Sequence, residues 1–171
     1  MNPALLFGLG GFVFFPIAKT SIAETREYYN RDLKSTSGLP SIVFPIVWNI
    51  LYSLIVVSGY FTFLNSNQYD IYLIVLFFVN IMLNKYWSVF FFDFKNTKAA
   101  FFIVFLLLGT SIPYLVLVGI LQNWLSFGTY LPYVVWLCVA LYLNYNLLKT
   151  PTQPPVLTVP IKRTIKRQIV L

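Results

Sequence analysis

Five long apolar runs, separated by shorter polar stretches, make up most of the chain. A helix needs about 20 apolar residues to cross a ~30 Å hydrocarbon core. The runs Asn2–Ala18, Ser41–Leu64, Tyr69–Phe92, Lys98–Gln122 and Tyr130–Leu148 meet or approach that length. The pattern predicts an all-α membrane protein, a five-transmembrane-helix bundle over residues 1–148 in which short connections make consecutive helices antiparallel neighbours. The first run is short and contains Gly8, Gly10 and Gly11, but Met1-Asn2-Pro3 lacks the basic residues that open a cleavable signal, so it is read as a retained span. Two segments lie outside the runs. Residues 19–40 mix basic, acidic and tyrosine residues, and are expected to form an ordered cytosolic loop or lid, with a plain solvated linker as the alternative. Residues 149–171 form a proline-rich basic tail, extended at least as far as Pro160 because its prolines deny it a helix.

Polar residues inside the runs carry the next layer of information, because hydrocarbon penalises them. On the third run Asn80, Asn84 and Ser88 recur at four-residue steps with Trp87 beside them, forming one helical stripe. On the fifth, Tyr133, Trp136, Ala140 and Asn144 recur at three- or four-residue steps. On the second, Trp48, Asn49, Tyr52, Ser53 and Gly59 make a mixed polar and aromatic face. Taken singly, such amides bond helix to helix, each contributing about 0.6–2 kcal/mol. Taken together they suggest more. Tryptophan usually lines the membrane interface, yet Trp48 and Trp87 sit well inside their runs; Trp136, about two turns in, leaves a belt role open. Tryptophans grouped with amides and a small residue describe a pocket with flat apolar walls and few polar anchors, suited to a planar hydrophobic ligand.

Composition supports lipid as the main solvent: only 10% of residues are charged, against about 25% in an ordinary soluble domain. There is no histidine, and Cys138 is the single cysteine, which excludes Ser/His/Asp, Cys/His and zinc chemistry and any intrachain disulfide. No catalytic residue, metal site or required cofactor is expected. Eleven of the 12 basic residues lie between the first and second runs, between the third and fourth, or after the fifth, which all share one face if the span count is correct. The positive-inside bias then puts the N-terminus outside or in a lumen and the C-terminus in the cytosol, without saying which membrane. The net charge of +7 points to anionic membrane lipid as a partner, not to nucleic acid. The twelfth basic residue, Lys85, lies within the third run and is read as a snorkelling anchor or as an intramembrane functional cation. Asp70 and Asp93 stand at span ends, so proton-coupled transport has no evident carrier.

Three motifs carry a resemblance. Val43-Phe44-Pro45-Ile46-Val47-Trp48-Asn49-Ile50-Leu51-Tyr52 resembles the second-helix signature of the translocator protein (TspO, tryptophan-rich sensory protein, peripheral benzodiazepine receptor) family. Leu83-Asn84 with Trp87 and Phe91-Phe92 is similar to its third helix, and Leu131-Pro132-Tyr133 with Trp136, Ala140 and Leu143-Asn144 to its fifth. All three occur in family order across Leu39–Leu148. The resemblance implies five helices around a cavity that binds tetrapyrroles such as protoporphyrin and haem, sterols, or synthetic benzodiazepine-type ligands. Carried over by residue, the ligand contacts would be Trp48, Tyr52, Asn84, Trp87, Trp136 and Ala140, with Asn80 standing where the family usually has Gln. Leu143, Tyr145 and Lys149 fit its proposed sterol pattern.

There are also departures. Lys34 is followed by Ser35, Ser37 stands near the family's loop Trp, and of its Pro pair only Pro40 remains. Ala99 replaces a fourth-helix Trp of some members, and homodimer packing is left open. The implied function is a receptor-like binder that sequesters, delivers or helps dispose of a porphyrin or sterol. The alternatives are light-dependent oxidative breakdown of bound porphyrin, or a scaffold acting through its tail.

Overall fold

The structure, a computed structural model, describes residues 3–14, 27, 30, 42–64 and 68–149. The 19–40 loop, apart from two isolated residues, and the tail beyond Lys149 lie outside the described residues. Among the described residues there are five long or medium α-helices and no strand. Helix α1 runs over Pro3–Phe14, α2 over Val43–Thr62, α3 over Asp70–Ser88, α4 over Thr97–Ile120 and α5 over Trp124–Lys149. The last four are long and apolar enough to cross a membrane, α3 when taken with the turn that follows it. The 12 residues of α1 rise only about 18 Å, and the rest of its predicted run falls outside the described residues.

The helix ends follow from local chemistry. A π-helical turn, Val89–Asp93, prolongs α3, with Phe94 N–H donating to the Val89 carbonyl at 3.0 Å. Asn96 caps α4 by accepting from Ala99 N–H at 3.0 Å. At its far end α4 closes with paired bonds, Asn123 N–H to Val118 O and Gln122 N–H to Gly119 O, both 3.0 Å, and Gln122 adopts φ 55°. Helix α5 starts six residues before the predicted Tyr130, which corrects the expected Asn123–Thr129 loop. Asn123 accepts from Ser126 N–H at 3.2 Å as a cap, and Thr129 ties its hydroxyl to Leu125 O at 2.7 Å, so residues that read as a polar loop are helical.

Packing gives the order in the bundle. Helix α1 lies on α2, α2 on α5, α5 on α4 and α4 on α3. The Phe12 and Phe78 rings, 5.1 Å apart, and Lys85 Nζ, 3.4 Å from Val13 O, close the circle between α3 and α1. Lys85 is therefore buried against α1, where its ammonium donates to the Val13 carbonyl and lies 5.6 Å from the Phe12 ring centroid; it is not a snorkelling anchor. Ile55, Leu73, Phe77, Tyr114, Tyr130, Tyr133 and Leu137 fill the centre, while Ile46, Ile71, Phe102, Phe105 and Val135 face outward, as expected where lipid is the solvent. At Gly59 the chain comes so close to the Phe77 ring that a Cβ would sit 2.7 Å from Cζ.

Candidate functional site

The site begins with the amide stripe on α3. Asn84 accepts from the Tyr52 hydroxyl of α2 at 2.9 Å through Oδ1, and its Nδ2 donates to the Tyr133 hydroxyl of α5 at 3.1 Å. Tyr133 in turn donates to Asn80 Oδ1 at 2.8 Å. Asn80 Nδ2 faces α4, within 3.0 Å of Leu107 O, 2.7 Å of Thr110 Oγ1 and 2.8 Å of Ser111 Oγ. Two carboxamides one turn apart thus bind α3 to all three of its long neighbours, in a medium where water cannot substitute.

Aromatic rings lie beside this chain, toward the end that holds Val43, Asp93 and Lys149. Trp48 and Trp87 face each other at 5.7 Å with planes 32° apart, and Trp87 stacks on Phe91 at 4.8 Å. Trp48 also meets Tyr52 at 5.4 Å and Tyr133 at 6.4 Å. One turn before Trp48, Phe44 lies 5.7 Å from the Trp136 ring, which sits one turn beyond Tyr133. Six of the predicted residues, Trp48, Tyr52, Asn80, Asn84, Trp87 and Tyr133, are thereby in one connected cluster, while Trp136 packs on Phe44 one turn along α5 from Tyr133. Ala140 and Asn144 continue the α5 stripe and are buried, with Asn144 Nδ2 donating to Ala140 O at 2.7 Å.

Four polar atoms in this region are buried without a hydrogen-bond partner among the described residues: the indole Nε1 of Trp48, Trp87 and Trp136, and Oδ1 of Asn144. An unmet buried donor costs about 1–3 kcal/mol, so these open groups, two of them on the touching Trp48 and Trp87 rings and two on α5, make an arrangement suited to a ligand with complementary polar edges. Among the described residues no cluster of His, Cys, Asp or Glu could hold a metal ion.

Several sequence expectations need adjusting. Asn49 and Ser53 do not belong to the inner face of α2: both are exposed and bond to their own helix, Asn49 Nδ2 to Pro45 O at 2.7 Å and Ser53 Oγ to Asn49 O at 2.9 Å. The three sterol-pattern residues do not share a surface, because Leu143 is buried whereas Tyr145 and Lys149 point outward. A second polar cluster was missed. Toward the opposite end Thr62 lies 2.7 Å from both Tyr114 and Ser126 hydroxyls, and Ser126 Oγ donates to Ser58 O at 2.7 Å. Its sequence signal was the spacing of Ser58 with Thr62, four residues apart on one helix face.

The motifs and this geometry agree with the comparison to known families, where the model described as TspO/MBR matches residues 4–149. The chain belongs to the TspO/MBR family. It is an integral, multi-pass membrane protein. No curated protein matches the chain. The TspO/MBR match ends at Lys149, the last residue of α5, so the basic tail lies beyond the family's shared part.

Proposed function

We propose that this TspO/MBR protein is a membrane receptor that binds a planar hydrophobic ligand among Trp48, Trp87 and Trp136, and sequesters, delivers or helps dispose of it. A tetrapyrrole such as protoporphyrin or haem is the favoured ligand, ahead of a sterol. The observation that carries this reading is the pair of unpartnered indole N–H groups on the touching Trp48 and Trp87 rings, with a third on Trp136, one turn along α5 from the cluster's Tyr133. A porphyrin offers two wide faces for stacking and carboxylates to accept from indole donors, whereas a sterol offers one hydroxyl. Size works in the same direction: at about 0.3 kcal/mol per heavy atom, a ~40-atom porphyrin reaches about −12 kcal/mol and a ~28-atom sterol about −8. Trp48 and Trp87 touch one another, so the ligand would exchange that ring contact for its own. In this reading the N-terminus is outside or lumenal and the C-terminus cytosolic.

The test is a fluorescence titration with protoporphyrin in detergent. Trp48→Ala and Trp136→Ala should each weaken binding about tenfold, equivalent to about 1.4 kcal/mol. Trp124→Ala, which alters an indole that is 66% exposed near the far end of the bundle, should bind like the unmodified protein. Equal affinity in all four proteins would remove the site assignment. A second reading, light-dependent oxidation of bound porphyrin, draws on the adjacent Trp48 and Trp87 indoles. It requires a new absorption band on illumination that disappears in the Trp48 variant.

A further inference from the structure

The outer surface of the bundle carries a feature that the inner cluster does not use. Phe101 of α4 and Tyr145 of α5 meet across the groove between these antiparallel helices, ring centroids 6.3 Å apart. Lys98 precedes Phe101 by three residues and Lys149 follows Tyr145 by four. Both spacings keep a side chain on the same helix face, so the two ammonium groups lie about one turn beyond the same ring pair, at the same end of the molecule. Both lysines are exposed, and Lys149 Nζ lies 4.1 Å from the Tyr145 ring centroid, which holds its stem over the groove. In the other direction the groove continues over Phe105 (64% exposed), Tyr142 (65% exposed) and the exposed Cys138. Neither α4 nor α5 contains an acidic residue to neutralise these charges.

We propose that this groove is a binding site for an anionic phospholipid, with the phosphate between Lys98 and Lys149 and one acyl chain lying past Phe101 and Tyr145 toward Phe105 and Cys138. Charge complementarity selects the headgroup, and the exposed aromatic strip directly below selects a molecule whose apolar part starts where its charge ends. The site shares Tyr145 and Lys149 with the sterol pattern but leaves out Leu143, which faces the core, and adds Phe101 and Lys98 of α4. It rests on the membrane setting alone and is independent of what the inner cluster binds.

Cys138 supplies the reporter, being the single cysteine of the chain. The full protein, labelled there with a small fluorophore, is placed in phosphatidylcholine nanodiscs containing a minor fraction of nitroxide-chain phosphatidylglycerol or, in parallel, nitroxide-chain phosphatidylcholine. Quenching by the anionic lipid should exceed that by the zwitterionic one, and Lys98→Gln and Lys149→Gln should each reduce the preference about fivefold, the ratio corresponding to ~1 kcal/mol per basic residue. A control in the tail, Lys162→Gln, removes the same single charge elsewhere and should leave the preference unchanged. Equal quenching by both lipids in the unmodified protein overturns the proposal. So does an equal loss in the tail control, which would assign the preference to the diffuse field of the basic end. Phe105→Cys in a Cys138→Ser background gives a second reporter in the same groove and should report the same ratio.

Discussion

The Tyr133 hydroxyl donates to Asn80 Oδ1 at 2.8 Å, and through Asn80 the bond reaches α4 at Ser111. One carboxamide is thus the meeting point of α3, α4 and α5 directly beneath the tryptophan cluster. Both groups are fully buried, so neither can turn to solvent if its partner is lost.

Asn80→Leu should therefore destabilise the bundle by about 1–3 kcal/mol, because it leaves the Tyr133 O–H without its acceptor, only the bond from Asn84 remaining. Thermal unfolding in detergent measures this, and a midpoint unchanged from the unmodified protein would show that Tyr133 finds another partner. Tyr133→Phe combined with Asn80→Leu should cost less than the sum of the two single changes.

Gly59→Ala offers a test by sign. In a helix interior alanine is ordinarily better than glycine by about 1 kcal/mol. Here the added Cβ would lie 2.7 Å from Cζ of Phe77, a ring boxed in by Phe63, Phe78 and Tyr114. The substitution should instead destabilise by about 1–3 kcal/mol, and Phe77→Leu in the same chain should recover part of the loss. A rise in melting temperature for Gly59→Ala alone would contradict this packing.

The α4–α5 turn is improvable. Gln122 holds φ 55° at the position where glycine usually ends a helix, a conformation that is strained for a residue with a Cβ. Gln122→Gly should raise stability by about 0.5–1 kcal/mol. Gln122→Val should lower it, as a β-branched residue tolerates that conformation least. The pair of melting curves checks both directions at once.

Lys85→Met should loosen α1 without dissolving the other four helices, since the lysine holds the Val13 carbonyl and lies near the Phe12 ring. Hydrogen exchange of the amides in residues 8–14 should accelerate while those of α4 and α5 keep their protection. Uniform protection across all five helices would assign the anchoring of α1 to other contacts.

The four long helices were legible because about 20 consecutive apolar residues have few other uses. The Asn80 and Asn84 stripe was legible because two amides four residues apart must share a face inside hydrocarbon. The cluster of Ser58, Thr62, Tyr114 and Ser126 was not, for it is assembled from three helices and each hydroxyl taken alone costs little in an apolar run. Asn49 misled for a related reason: its amide bonds to Pro45 O on its own helix, so a polar residue on the second run did not have to face inward. The beginning of α5 was hidden because Ser126, Gly128 and Thr129 have the composition of a loop, and only the Asn123 cap and the Thr129 back-bond show that they are helical.

The most direct test uses the four tryptophans as separate reporters. Indole nitrogen-15 labelling gives one N–H resonance for each, three from unpartnered buried donors and one from the exposed Trp124. Titrated with protoporphyrin, the resonances of Trp48, Trp87 and Trp136 should shift together along one binding curve while that of Trp124 stays in place. Saturable binding that moves Trp124 and leaves the other three unchanged would contradict the site.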